Sequence, residues 1–137
     1  MSFSEFAQKD YEVIARNYAD LKEAARKRCA GEQELAVVQK AFDFANEAHK
    51  NVRRRSGEPY ILHPIAVAKI VVNDIGLGYK SIAAALLHDV VEDTDYTVDD
   101  IRHIFGDKIA SLVEGLTKIK NVLDNQDKKN KDDANSE

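Results

Sequence analysis

Four polar side chains, His88, Asp89, Glu92 and Asp93, fall within and directly after the most apolar run of the chain, Ile82-Ala83-Ala84-Ala85-Leu86-Leu87, which resumes as Val90-Val91. Burying such groups without partners costs free energy, so their presence asks for a reason. On a helix, His88 and Glu92 are four apart and share a face, as do Asp89 and Asp93, whereas the adjacent His88 and Asp89 diverge by about 100°. A further imidazole, His63, could close a metal site from outside this helix. Two imidazoles and one carboxylate suit Mn²⁺, Fe²⁺, Zn²⁺ or a related ion and leave positions open for water and a substrate oxygen. A bound cation would also offset the buried negative charge. An isolated His-Asp pair is weak evidence, because dipeptides recur by chance and these residues could simply end a helix. The surrounding sequence has to decide.

The elements that would position these residues are helical. Ile14, Tyr18, Leu21 and Ala25 recur in steps of three and four, which predicts a first helix from Ser4 to about Lys27. After Gly31 the pattern restarts at Leu35 and runs through Val38, Phe42 and Ala45 to His49. Asn51 to Tyr60, with Arg53-Arg54-Arg55-Ser56-Gly57-Glu58-Pro59, reads as a loop. Pro64 suits a helical first turn, so a third helix is expected to run to about Asp74, with His63 at its mouth. Gly76 and Gly78 end it, and the apolar run around His88 follows as a central buried helix. Thr97-Val98-Asp99-Asp100 resembles a capping box with Asp in the place of Glu, opening a short helix that ends at Gly106. Ile109, Leu112, Val113, Leu116 and Ile119 define one more. No alternating stretch argues for a strand, so the fold class is all-α.

The 137 residues, 44% apolar, suffice for one domain with a modest core, placed at residues 1–120, while 121–137 read as a polar, disordered tail or loop. A formal charge of −4 argues against a broad basic surface for DNA or for an acidic membrane. The single cysteine, Cys29, excludes an internal disulfide and a cysteine-based zinc cluster, and is read as a small buried residue. No apolar run is long enough to span a membrane, which points to a soluble cytoplasmic protein. His49 is read as a satisfied core histidine with no acid close to it in the sequence, His103 as solvated, and Tyr60 as a packing residue whose hydroxyl reaches a polar partner.

From about Ala41 to Lys120 the chain resembles a known family. The runs Phe44-Ala45-Asn46-Glu47-Ala48-His49 and Arg54-Arg55-Ser56-Gly57-Glu58-Pro59-Tyr60-Ile61-Leu62-His63-Pro64 are similar to the opening of the His-Asp (HD) hydrolase domain of Rel/SpoT-type alarmone enzymes. Leu86-Leu87-His88-Asp89-Val90-Val91-Glu92-Asp93-Thr94 resembles their His-Asp signature, and Phe105-Gly106 and Leu112-Val113-Glu114-Gly115-Leu116-Thr117-Lys118 follow in the same order. The resemblance implies a compact helical fold that hydrolyses the 3′-pyrophosphate of guanosine tetra- or pentaphosphate. It implies His63, His88 and Asp89 as metal ligands with manganese as the usual ion, and Glu92 and Asp93 as the acid/base pair. It also implies that Arg54 stacks on guanine and that Arg55 and Ser56 contact the nucleotide, roles that a planar guanidinium can fill.

Two positions depart from the family's pattern. Arg55 stands where the family more often has Lys, which keeps a cation but changes its contact geometry. The family also takes a fourth ligand, an Asp, from a later helix of the form Asp-Arg-Leu-x-Asn-x-Arg, and no Asp-Arg pair occurs here. The expectation is therefore a fold incomplete at its C-terminal end, lacking that ligand and a following synthetase domain, so that this stretch by itself need not be active. An apolar groove left open in this way could favour self-association. The alternative reading is a non-catalytic nucleotide-binding or regulatory module attached to a synthetase.

Overall fold

A computed structural model describes residues 2–119. The polar stretch 121–137 lies outside the described residues. Helix α1 spans Gln8–Arg26 and buries Ile14, Tyr18, Leu21 and Ala25, the face that the periodicity marks. It begins four residues later than its pattern suggests, because the preceding segment has other hydrogen-bond partners. Ser2–Phe3 (β1) pairs antiparallel with Val52–Arg53 (β2), in the register Ser2 to Arg53 and Phe3 to Val52. The Ser4 and Phe6 N–H groups donate to the backbone and side-chain oxygens of Asn51. This two-residue pairing corrects the expectation of no strand, without changing the all-helical class.

Helix α2, Glu32–Ala48, follows Gly31 and carries Glu32 and Glu34 in its first turn, where negative charge complements the helix dipole. Its Phe42 ring stacks on Tyr18 of α1 at a centroid distance of 3.8 Å. Helix α3, Leu62–Ile70, starts two residues before Pro64 and continues through a wider turn at Val71–Ile75. Gly76 closes that turn with φ +79°, a conformation that favours glycine, and its N–H donates to the Val71 carbonyl. Helix α4, Tyr79–Asp93, is buried without a break from Ile82 to Val90 and packs against α2 and α3. Helix α5, Val98–Phe105, opens with the expected box: Asp100 N–H donates to Thr97 Oγ1, and Thr97 N–H donates to the Asp100 carboxylate.

Residues 107–119 form a last helix, α6. Only its first half completes the core, through Ile109, Ala110 and Val113; Leu116 and Ile119 of the same predicted face are exposed. Cys29 is half-buried rather than buried.

Arg53 binds the N-terminal segment to the rest. Its guanidinium donates to the Asp10 carboxylate at 2.8 Å, the Glu5 carbonyl at 2.9 Å and the Gly57 carbonyl at 2.9 Å. The Arg53 guanidinium, and then the Ala7 N–H, hold the Asp10 carboxyl below its ordinary value of 3.8. A depressed folded value means that this stabilisation is complete above 3.8 and is lost as pH falls through the folded value. Asp10→Asn is therefore expected to lower the urea midpoint at neutral pH, and the difference from wild type should narrow as pH falls below 3.8. A deficit that stayed constant as the pH was lowered would mean that the carboxylate charge contributes nothing.

Candidate metal centre

The long apolar stretch of α4 places His88 and Asp89 in the interior, with Asp89 fully buried and His88 8% exposed. Pro59 and the short turn that follows it lead into α3, whose second residue is His63. His63 Nε2 then lies 3.8 Å from Asp89 Oδ2, and His88 Nε2 lies 3.2 Å from Asp89 Oδ1. One ligand atom from each of the three residues falls within 4.8 Å of the others. The carboxylate that joins the imidazoles is thus Asp89. Side-chain reach overcomes the divergence of adjacent helical positions, because the ring and the carboxylate bend toward one another.

Two neighbours prepare this donor set. His88 Nδ1 is 2.6 Å from the Ala85 carbonyl, and since a carbonyl only accepts, Nδ1 carries the hydrogen and Nε2 presents its lone pair to the cluster. The Tyr60 hydroxyl donates to Asp89 Oδ2 at 3.1 Å. Burial, followed by the negative charges of Asp89 and Asp93, pushes the Tyr60 hydroxyl well above its usual value, so it remains a donor. Two imidazoles and one oriented carboxylate, with a ligand atom of each close to the others, fit a divalent transition metal.

Glu92 and Asp93 lie on the next turn of α4. Glu92 is exposed. The Asp93 side chain is 18% exposed, and its Oδ2 lies 3.1 Å from Nε2 of His49, which is itself 1% exposed. His49 is the satisfied core histidine that its helix position suggests, but its partner is an acid 44 residues away. His103 is exposed, as expected.

The arginine loop separates into two roles. Arg53 is structural, through the contacts already described. Arg54, Arg55 and Ser56 are exposed and, with Glu58 and Tyr60, line an open cavity of about 520 Å³. The Arg54 N–H donates to the Glu58 carbonyl and the Gly57 N–H to the Arg54 carbonyl, closing a tight turn in which Gly57 takes φ +96°. Tyr60 therefore connects the two features: it lines the cavity while its hydroxyl holds a candidate ligand. Sequence reading gave Tyr60 a polar partner without identifying it; the only sequence signal is its place between the arginine loop and His63.

Among the described residues, no helix is long and apolar enough to cross a membrane. Comparison with known proteins gives a consistent result. Residues 41–137 match a family model described as HD domain. Over 89 residues the chain is 47% identical to a "Probable GTP pyrophosphokinase" of Mycobacterium leprae, covering 65% of this chain and 11% of that protein. Over 87 residues it is 47% identical to a "Guanosine-3′,5′-bis(diphosphate) 3′-pyrophosphohydrolase" of Aquifex aeolicus, covering 64% and 12%. It is 46% identical over 88 residues to the "Bifunctional (p)ppGpp synthase/hydrolase SpoT" of Escherichia coli, again covering 64% and 12%. The chain spans about one-eighth or less of these relatives' length. A buried His-Asp pair on a central helix, a second histidine facing it and a family match over most of the chain together place this protein in the HD domain family.

Proposed function

We propose that this chain forms the hydrolase site of a Rel/SpoT-type enzyme and removes pyrophosphate from the 3′ position of guanosine tetra- or pentaphosphate. The observation that carries this reading is the convergence of His63, His88 and Asp89, in a chain so similar to proteins bearing that activity in their names. A divalent ion held by these three residues, manganese on the family's precedent, would activate water and neutralise phosphate charge. The chain's own groups do the remainder. Tyr60 and the Ala85 carbonyl keep Asp89 and His88 oriented. Glu92 and Asp93 move protons, one accepting from the attacking water and one donating to the departing oxygen. Water oxygen bonds to phosphorus as the bond from phosphorus to the ribose 3′ oxygen breaks, giving pyrophosphate and a nucleotide with a free 3′ hydroxyl. Arg54 stacks on the guanine, while Arg55 and Ser56 contact the nucleotide at the mouth of the cavity. A synthetase domain in the same gene product and a cytoplasmic location belong to this reading.

The test is a substrate panel with manganese and the full-length gene product. Pyrophosphate release from guanosine tetraphosphate, with little from nucleotides lacking a 3′-pyrophosphate, is the expected result. A protein that binds metal and alarmone but releases no pyrophosphate would instead be a regulatory module. Arg54→Ala should raise KM about tenfold or more, with a smaller effect on kcat, because a stacking contact present in both ground and transition states is lost. A variant with an unchanged KM would remove Arg54 from the nucleotide site.

A further inference from the structure

His49 is a buried titratable group that the proposed chemistry does not use, and both of its ring nitrogens are engaged. Nδ1 lies 3.3 Å from the Ala45 carbonyl and Nε2 lies 3.1 Å from Asp93 Oδ2. We propose that His49 is the positioning residue of Asp93: from the end of α2 it occupies one carboxylate oxygen, leaving Oδ1 as the working oxygen. The inference rests on the hydrolase reading above for the task that Asp93 performs.

Three features support it. The pair joins α2 to the last turn of α4, the two helices whose packing also fixes His88 and Asp89, so Asp93 is referenced to the same frame as the candidate ligands. At 1% exposure, water does not compete for the imidazole. The His49 ring also lies against Tyr60, at a centroid distance of 4.9 Å, and Tyr60 in turn holds Asp89. A carboxylate only accepts, so the contact is made by the Nε2–H of the imidazole donating to Asp93 Oδ2. Asp93 is thereby held through one oxygen, which suits a group that must be aimed to exchange protons during the reaction.

The test has two arms. Nitrogen-15 spectra of the imidazoles, recorded on the whole chain, are expected to show His49 Nε2 moving when Asp93 is replaced by Asn and staying in place when Glu92 is replaced by Gln. An unmoved His49 signal in Asp93→Asn would overturn the pairing. In the manganese-loaded gene product, His49→Leu is expected to lower kcat about 100-fold with KM and manganese affinity unchanged, while His49→Gln, whose amide can still donate to Asp93, recovers most of that loss. Equal kcat in wild type and a folded His49→Leu would overturn the positioning role, as would a His49→Gln variant no better than His49→Leu. If wild type releases no pyrophosphate while the spectral coupling persists, the hydrolase reading fails, and the role of the pair in it, but the pair itself stands.

Discussion

Asp89→Asn is expected to abolish stabilisation of the protein by manganese while leaving the metal-free fold at least as stable as wild type. Asparagine has the shape of aspartate and still offers an oxygen to the Tyr60 hydroxyl, so the packing and one hydrogen bond survive. What disappears is a charge that is fully buried. In the metal-free protein that charge is an electrostatic cost; with metal bound it becomes the anionic ligand. A ligand present at 100 times its Kd stabilises the native state by about 2.7 kcal/mol. For a chain of this length that corresponds to a rise in Tm on the order of 10 °C. Wild type should show this rise and Asp89→Asn should not. Pyrophosphate release should fall by about 10³-fold or more, since loss of metal assistance removes at least ~4 kcal/mol from the transition state. An Asp89→Asn protein that kept the manganese-dependent rise would show that the ion binds elsewhere.

Leu86→Ala is expected to have the largest effect on folding. Leu86 is fully buried on α4, whose residues from Ile82 to Val90 are covered continuously by neighbours. Truncation removes apolar contact and leaves a cavity that close-packed surroundings fill only in part, which costs about 2–5 kcal/mol. Against a typical total of about 5–15 kcal/mol, such a loss is a large fraction of the whole stability. Leu86→Met, which nearly conserves volume, should cost less than about 1.5 kcal/mol. Urea denaturation of the three proteins measures both differences. Similar midpoints for Leu86→Ala and wild type would mean that α4 is not the centre of the core. Because the same helix carries His88 and Asp89, manganese should recover part of the stability that Leu86→Ala loses, through the linkage that stabilises wild type.

The central helix was legible in the sequence because strong helix formers and a continuous apolar run leave little alternative, and because acids embedded in that run demand a cation or a partner. Ordered motifs shared with a known family identified His63, His88 and Asp89, which converge in the structure. Periodicity alone pointed less clearly, since the divergence of adjacent helical positions favoured Glu92 as the neighbour of His88. Resolving that choice required side-chain reach, which helical spacing does not encode. The contact between His49 and Asp93 was not legible, because it depends on how α2 crosses α4 rather than on local order. The three consecutive arginines look alike in sequence. The antiparallel pairing at Val52–Arg53 and the positive φ of Asn51 distinguish Arg53, which is turned toward Asp10, from the exposed Arg54 and Arg55. The same pairing withholds residues 4–7 from α1, a tertiary effect that overrides a permissive local pattern.

The most direct test of the account is release of pyrophosphate from guanosine tetraphosphate by the manganese-loaded gene product, with His88→Ala as the matched control. Manganese-dependent release by wild type and its loss in a folded His88→Ala protein are the expected results. Equal release by both, or none by a folded wild type with metal bound, would contradict the account.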